Sequence, residues 1–291
     1  MAKRTMPQAR QDRPCAGLQW DIAPKALERW APGLMAAASA DNTISVLDVI
    51  GSDPWSGGGV TSARVAAALR SIGADKDVVV NINSPGGDLF EGLAIYNMLR
   101  DHKGAVTVKV LGMAASAASI IAMAGDTVQV ARAGFLMIHD TWVVAIGNRI
   151  DLRTIADTLE PFDAAMASIY AARTGAEQKA MQKMMDAETW IGGESAVAQG
   201  FADELLPADE VKEDPKASAQ VIAARAIERG LAAMGLPRSK ARDVMNEFKS
   251  GTRDAAGAGM RDATDDGKRD AAAASEALAA ALRSFVIQPK E

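Results

Sequence analysis

Apolar residues in the middle of the chain recur with two alternating rhythms. Thr43–Ile50 reads as a strand closed by Gly51, and Asp77–Ile82 as a nearly all-apolar strand covered on both faces. Thr107–Leu111, Thr127–Ala131 and Phe135–His139 are further strand-like runs. Between them the period lengthens to that of a helix. Ser62–Ser71 carries Val65, Ala66 and Leu69 at helical spacing, Leu89–Leu99 forms an amphipathic run ending near Gly104, and Ala114–Ala124 is a small-residue helix closed by Gly125. Asn148–Arg173 predicts a long helix that Pro161 breaks or kinks. Strand and helix in alternation predict an α/β fold built of βαβ units around a parallel sheet.

The pattern also divides the chain. Residues 1–17 are polar and predict a flexible arm; residues 18–208 carry the α/β rhythm; residues 209–291 turn rich in Ala and charge. The last part reads as a helical module (Ala223–Phe248), a linker with tracts such as Ala255–Gly259, and a weak terminal helix.

Composition narrows the function. The chain has 291 residues, 48% of them hydrophobic, with 32 Lys+Arg against 37 Asp+Glu. A net charge of −5 leaves no basic footprint for nucleic acid. One cysteine, Cys15, rules out an intrachain disulfide and any multi-cysteine metal centre. No apolar run approaches the ~20 residues of a membrane span, and no apolar stretch follows the basic residues near the N-terminus. A cytoplasmic protein without cofactor or metal is expected. Histidine is nearly as scarce: only His102 and His139 can supply an imidazole. His102, among Arg100, Asp101 and Lys103, reads as a surface residue.

Chemistry concentrates at three strand ends, where functional groups of open α/β sheets gather. Asn83-Ser-Pro-Gly-Gly87 provides a backbone able to turn an N–H outward as an oxyanion donor, or simply a tight turn. Ser116, in Gly112-Met-Ala-Ala-Ser, stands at the start of a helix, as a nucleophile or as a plain N-cap. His139 follows three apolar strand residues, as a base or as a structural histidine. A carboxylate to orient it comes from Asp140, Asp186, Glu188 or Asp203.

The segments NINSPGGDLFEGLAIYNMLR, GMAASAAS and MIHD, in this order, resemble the proteolytic subunit of the Clp protease family, self-compartmentalised serine peptidases. The resemblance covers roughly Asp77–Asp203. It implies a Clp/crotonase-like spiral of βαβ units with a protruding handle helix. It also implies Ser116 as nucleophile, His139 as base, and the N–H groups of Gly87 and Ala117 as the oxyanion hole. Ser119 matches no catalytic position. The family's acid is an Asp; ungapped alignment on Ala196-Val197 and Gly200–Asp203 puts Glu188 there, with Asp186 as the rival.

The stretch from Ile50 to Arg64 and the Ala/Gly- and Asp-rich tail resemble the Clp-type head maturation proteases of tailed phages. That resemblance implies cleavage of capsid or scaffold precursors in the host cytoplasm or inside the prohead. The alternatives are a peptidase working with an ATP-dependent unfoldase, a crotonase-type enzyme acting on thioesters, or a non-catalytic ring subunit. The family assembles as heptamers or stacked double heptamers, which implies a homo-oligomer here.

Overall fold

The computed structural model describes residues 19–20, 22–37, 40–53, 58–207, 210–213, 227–228 and 230–231. All of them lie in the first of two compact units, Met1–Ala233. The expected arm (1–17), part of the loop at 56–59, and the module, linker and terminal helix expected within 209–291 lie outside the described residues, apart from the few positions just given.

In chain order the elements are β1 (Gln19–Trp20), α1 (Pro24–Arg29), β2 (Leu34–Ala36), β3 (Thr43–Val46), α2 (Ser62–Ile72), β4 (Val78–Ser84) and α3 (Leu89–Asp101). There follow β5 (Val106–Ala115), α4 (Ala117–Ala122), β6 (Thr127–Ala131), β7 (Phe135–Ile138), β8 (Val143–Val144) and α5 (Arg149–Thr174). The described chain closes with α6 (Gln178–Asp186), β9 (Thr189–Gly192), α7 (Gly193–Ala198), β10 (Glu204–Leu206) and β11 (Val211–Glu213). Strands β10, β6, β5, β4 and β3 lie side by side in that order, all parallel. The α/β class and the parallel sheet read from the sequence are therefore present.

Side chains alternate across this sheet. Val78, Val80 and Ile82 of β4, Val106, Val108 and Val110 of β5, and Val128 and Val130 of β6 are all buried in the main core. Packed with them are Leu93, Ile95, Tyr96 and Leu99 of α3 and Ile120 and Ile121 of α4. Each such side chain contributes about 1.5–3 kcal/mol on burial, against about 0–1 kcal/mol for an exposed ion pair. The apolar face therefore decides the fold.

β4 is covered on both faces as expected, but its opposite face, where Asn81 is buried, belongs to a polar row. In register across five strands it carries Ser45, Asn81, Lys109, Gln129 and Glu204. The antiparallel pair β2–β11 lies at one end of this face. There Lys109 ion-pairs with Glu210, and Ala36, Leu47 and Val211 pack on Leu111, Ala131 and Leu206.

Three other expectations are corrected. Ala114 and Ala115 belong to β5, a ten-residue strand that runs to the residue before Ser116, so the small-residue helix is only α4. Pro161 does not break α5, which runs 26 residues through it. Its start is pinned by a capping box, in which Asn148 Oδ1 accepts from Ile150 and Asp151 and Asp151 Oδ2 accepts from the Asn148 N–H. Pro161 is exposed, so the carbonyl it leaves unpaired can be hydrated. Finally, His102 is not a surface residue. It is 7% exposed at the C-terminal end of α3, and its Nε2 lies 2.7 Å from the Lys76 carbonyl, to which it must donate. Asp101 and Lys103 reach solvent while the imidazole turns inward onto the α2–β4 loop.

Before Pro161, α5 is largely exposed, including Ile150 and Leu152; beyond it, Phe162, Met166, Ala167, Ile169, Tyr170 and Arg173 are buried. The helix thus projects at one end and docks at the other. No helix among the described residues is long and apolar enough to cross a membrane.

Arg173 anchors the docked end. Its fully buried guanidinium donates to the carbonyls of Phe201 and Gly125 at 3.2 Å each and to Asp203 Oδ2 at 2.5 Å. Removing one partner of a buried charged network costs about 3–5 kcal/mol. Arg173→Met should lower the unfolding free energy by about 3 kcal/mol or more, read from the urea midpoint at unchanged slope.

Candidate active site

Strand β5 ends at Ala115 and α4 begins at Ala117, which leaves a single residue, Ser116, to turn the chain. Ser116 does so at φ 54° and ψ −127°. This is a left-handed conformation that costs a non-glycine residue about 1–3 kcal/mol and persists only where the surroundings over-determine it. Two backbone bonds do that: the Ser116 N–H donates to the Met137 carbonyl at 2.9 Å, and the Ser116 carbonyl accepts from the Ser119 N–H at 2.9 Å. The strain places the serine side chain at the mouth of the strand–helix junction, beside the N-terminus of α4.

The Asn-Ser-Pro-Gly-Gly segment packs against this turn. Asn83 is a buried clamp: its Oδ1 accepts from the Met113 N–H at 3.2 Å, and its Nδ2 donates to the Ala31 carbonyl at 2.7 Å. Gly86 and Gly87 follow at φ 89° and 147°. A Cβ on Gly86 would lie 2.6 Å from the Ala115 carbonyl oxygen and 2.7 Å from Ser116 Cβ; on Gly87 it would lie 2.2 Å from the Ile50 oxygen. Only glycine allows this loop to lie against the serine turn. The Gly86 carbonyl accepts from Ile50 and the Asp88 N–H donates to Ile50, while the N–H groups of Gly87 and Ala117 have no hydrogen-bond partner among the described residues.

His139 reaches the same place from β7, which pairs with the second half of β5 (Ala115 opposite Met137). Gly87, Ser116 and His139 line one small pocket together with Leu89, Asp140, Thr141, Trp142 and Met166. Strand β9 runs antiparallel to β7 with Thr189 opposite Ile138, and continuing that register sets Glu188 opposite His139. Burial pulls the His139 pKa below the usual 6.5; the Glu188 carboxylate and the Asp140 backbone act in the opposite direction. Among the described residues neither His139 Nε2 nor Glu188 Oε1 has a hydrogen-bond partner, and Glu188 Oε2 accepts from Lys25 at 3.1 Å.

The two candidate acids are therefore placed differently. Glu188, at a left-handed φ of 49°, is the carboxylate whose charge acts on His139. Asp186, at the end of α6, acts instead on Asp140. Burial and repulsion from Asp163 and Asp186 push Asp140 up to about 6. Asp203 is elsewhere, bound to Arg173 and the Val128 N–H. Two residues without a role in the sequence reading also belong to this region. Ser119 Oγ hydrogen-bonds both the Ser116 carbonyl and the Tyr170 hydroxyl. The Ser-x-x-Ser spacing on one helix face was the available signal for Ser119; nothing in the sequence ties Tyr170 to it.

A profile of the Clp protease family matches residues 61–209, a span holding Gly87, Ser116, Ala117, His139, Asp186 and Glu188. This chain belongs to the Clp protease family. Proteolytic subunit 2 of an ATP-dependent Clp protease from Treponema denticola is 30% identical over 146 residues, covering 49% of this chain and 72% of the relative. The corresponding subunit from Deinococcus radiodurans is 29% identical over 148 residues, 50% of this chain and 72% of the relative. A Prochlorococcus marinus subunit 1 is 29% identical over 157 residues, 52% and 80%. The βαβ architecture with its long helix agrees with this membership, which carries peptidase chemistry with it.

With only two histidines in the chain, the imidazole titration of this Clp-family domain is simple to read. NMR should find His139 titrating below 6.5. Glu188→Gln, which removes the charge favouring the imidazolium, should move that midpoint further down, while Asp186→Asn should move it far less. An upward shift in Glu188→Gln would contradict the assignment of Glu188 as the carboxylate facing His139.

Proposed function

We propose that this chain is a serine endopeptidase of the Clp type, with Ser116 as nucleophile, His139 as general base and Glu188 as the orienting acid. The observation that carries the reading is the strained Ser116 sharing one pocket with His139 and Gly87. Ser116 Oγ attacks the scissile carbonyl while His139 Nε2 takes its proton. The carbonyl oxygen gains negative charge and is held by the N–H groups of Gly87 and Ala117. His139 returns the proton to the leaving amine, and water attacks the acyl-enzyme by the same steps in reverse. A base held below 6.5 is neutral at pH 7, as proton abstraction requires. Glu188 then stabilises the imidazolium that forms. The gap between Ser116 Oγ and His139 Nε2 closes on substrate binding, as apo sites commonly do.

The chain acts as a homo-oligomer, and the exposed first half of α5, with Ile150 and Leu152, provides a helical surface for a second copy. An enclosed chamber is the physical safeguard for a peptidase of broad specificity. Its partner is an ATP-driven unfoldase: the relatives just described are named as subunits of ATP-dependent proteases, which supports this reading over head maturation. The head-maturation reading rests on the resemblance of residues 50–64 and the tail to phage enzymes. Under both readings residues 18–208 are the peptidase domain, with 1–17 an arm and 209–291 an extension.

Ser116→Ala should abolish fluorophosphonate labelling and reduce peptide hydrolysis by at least about 10³-fold while leaving the oligomer intact. Wild-type chain that takes no label would be a non-catalytic subunit. Degradation of a folded substrate only with unfoldase and ATP supports the partner assigned here; ATP-independent cleavage of a capsid precursor would replace it with head maturation.

A further inference from the structure

The Ser116–Ala117 peptide is held from behind by two buried hydroxyls. Ser119 Oγ lies 2.6 Å from the Ser116 carbonyl oxygen and 2.7 Å from the Tyr170 hydroxyl. A carbonyl can only accept, so the single Ser119 proton goes to Ser116, and the Tyr170 O–H must be the donor to Ser119. The chain of donors runs one way: Tyr170 O–H to Ser119 Oγ, Ser119 O–H to the Ser116 C=O. Ser119 is 0% and Tyr170 1% exposed, so no water competes with either bond. Burial also raises the Tyr170 pKa, keeping that hydroxyl protonated.

The same carbonyl already accepts from the N–H groups of Ser119 at 2.9 Å and Ile120 at 3.4 Å, as at any helix start. The hydroxyl is an addition to them. Its consequence lies on the other side of the peptide. A planar trans peptide points its N–H opposite to its C=O, so fixing the Ser116 oxygen fixes the direction of the Ala117 N–H. Polarising the C=O also makes that N–H a stronger donor, since hydrogen bonds in a chain reinforce one another.

We propose that Ser119 and Tyr170 are positioning residues for the oxyanion hole, forming a hydroxyl relay that aims and strengthens the Ala117 N–H and ties it to the docked half of α5. The proposal rests on the reading of Ser116 as nucleophile and Ala117 N–H as oxyanion donor. Neither hydroxyl touches the substrate, and Ser119 is no rival nucleophile, being closed off from solvent with its proton committed. The effect belongs to the transition state: the N–H matters little until the carbonyl oxygen becomes an oxyanion, so kcat and not KM should carry it.

The test uses the full chain with a fluorogenic peptide and a fluorophosphonate, whose tetrahedral phosphorus presents its oxygen to the oxyanion donors. Ser119→Ala should lower kcat and the inactivation rate constant in parallel, each by about tenfold, with KM within about twofold of wild type. Tyr170→Phe, which leaves the Ser119–Ser116 bond in place, should lose about threefold. In the Ser119→Ala background, Tyr170→Phe should cost nothing more, because Tyr170 acts only through Ser119. Wild-type reactivity in Ser119→Ala, or a full additional loss in the double variant, overturns the relay. So does a change in KM and melting temperature with kcat untouched, which is the signature of a purely structural pair. If Ser119→Ala does not fold, Tyr170→Phe alone decides, and a wild-type rate there is the overturning result. Wild-type protein that takes no label, or Ser116→Ala labelled as fast as wild type, brings down the nucleophile assignment itself. Slow labelling confined to the Ser119 and Tyr170 variants leaves that assignment standing and supports the relay.

Discussion

Strand β5 is shared between two neighbours on one edge, and the site depends on that handover. Its first half pairs with β6, Thr107 opposite Thr127 through Val110 opposite Val130. Its second half pairs with β7, Met113 opposite Phe135 through Ala115 opposite Met137. The chain leaves β6 at Ala131 and re-enters beside the same strand at Phe135, so His139 emerges next to Ser116. A slip of one residue in this register would exchange the faces of β7 and carry Leu136 and Ile138 out of the core. Burial of Leu136 and Ile138 in the main core and of Met137 in a second apolar cluster fixes this register, and with it the position of His139.

The handover also sets the electrostatics. β9 completes the arrangement by pairing antiparallel to β7, and continuing that register sets Glu188 opposite His139. The imidazole is largely buried, and desolvation acts on it more strongly than the nearby carboxylate does. That balance disfavours the imidazolium of His139, with Glu188 as the nearby carboxylate acting the other way. Next to His139 in the chain, burial, together with repulsion from Asp163 and Asp186, raises the Asp140 pKa to about 6. The negative charge in this neighbourhood is thus divided: the Glu188 carboxylate acts on His139, while Asp163 and Asp186 act on Asp140.

Much of this was legible because it is local. Short apolar runs marked the strands, Pro and Gly marked the loop before α3, and three short motifs marked Gly87, Ser116 and His139. What misled were places where a local signal meets a tertiary environment. The charged neighbours of His102 announced a surface that the end of α3 does not offer its imidazole. Ala114 and Ala115 look like helix formers, yet continued pairing with β7 keeps them in strand. Pro161 costs one hydrogen bond in α5, which its capped start and the buried half around Tyr170 and Arg173 offset. Asn81 sits in the apolar-looking run of β4 because its side chain belongs to a polar row, one that becomes visible only when five strands are aligned.

The sequence by itself determined the α/β class, the order of strands and helices, and three of the residues gathered at the pocket. Each of these follows from periodicity or from a short motif of contiguous residues. Tertiary structure decided what depends on pairing between distant segments. It set Glu188, which ungapped alignment already preferred to Asp186, opposite His139 through the antiparallel register of β7 and β9. It also set Tyr170 behind Ser119, 51 positions away, because α5 docks its second half on α4. A single chain states which residues it has; only the register and packing of its elements state which of them meet.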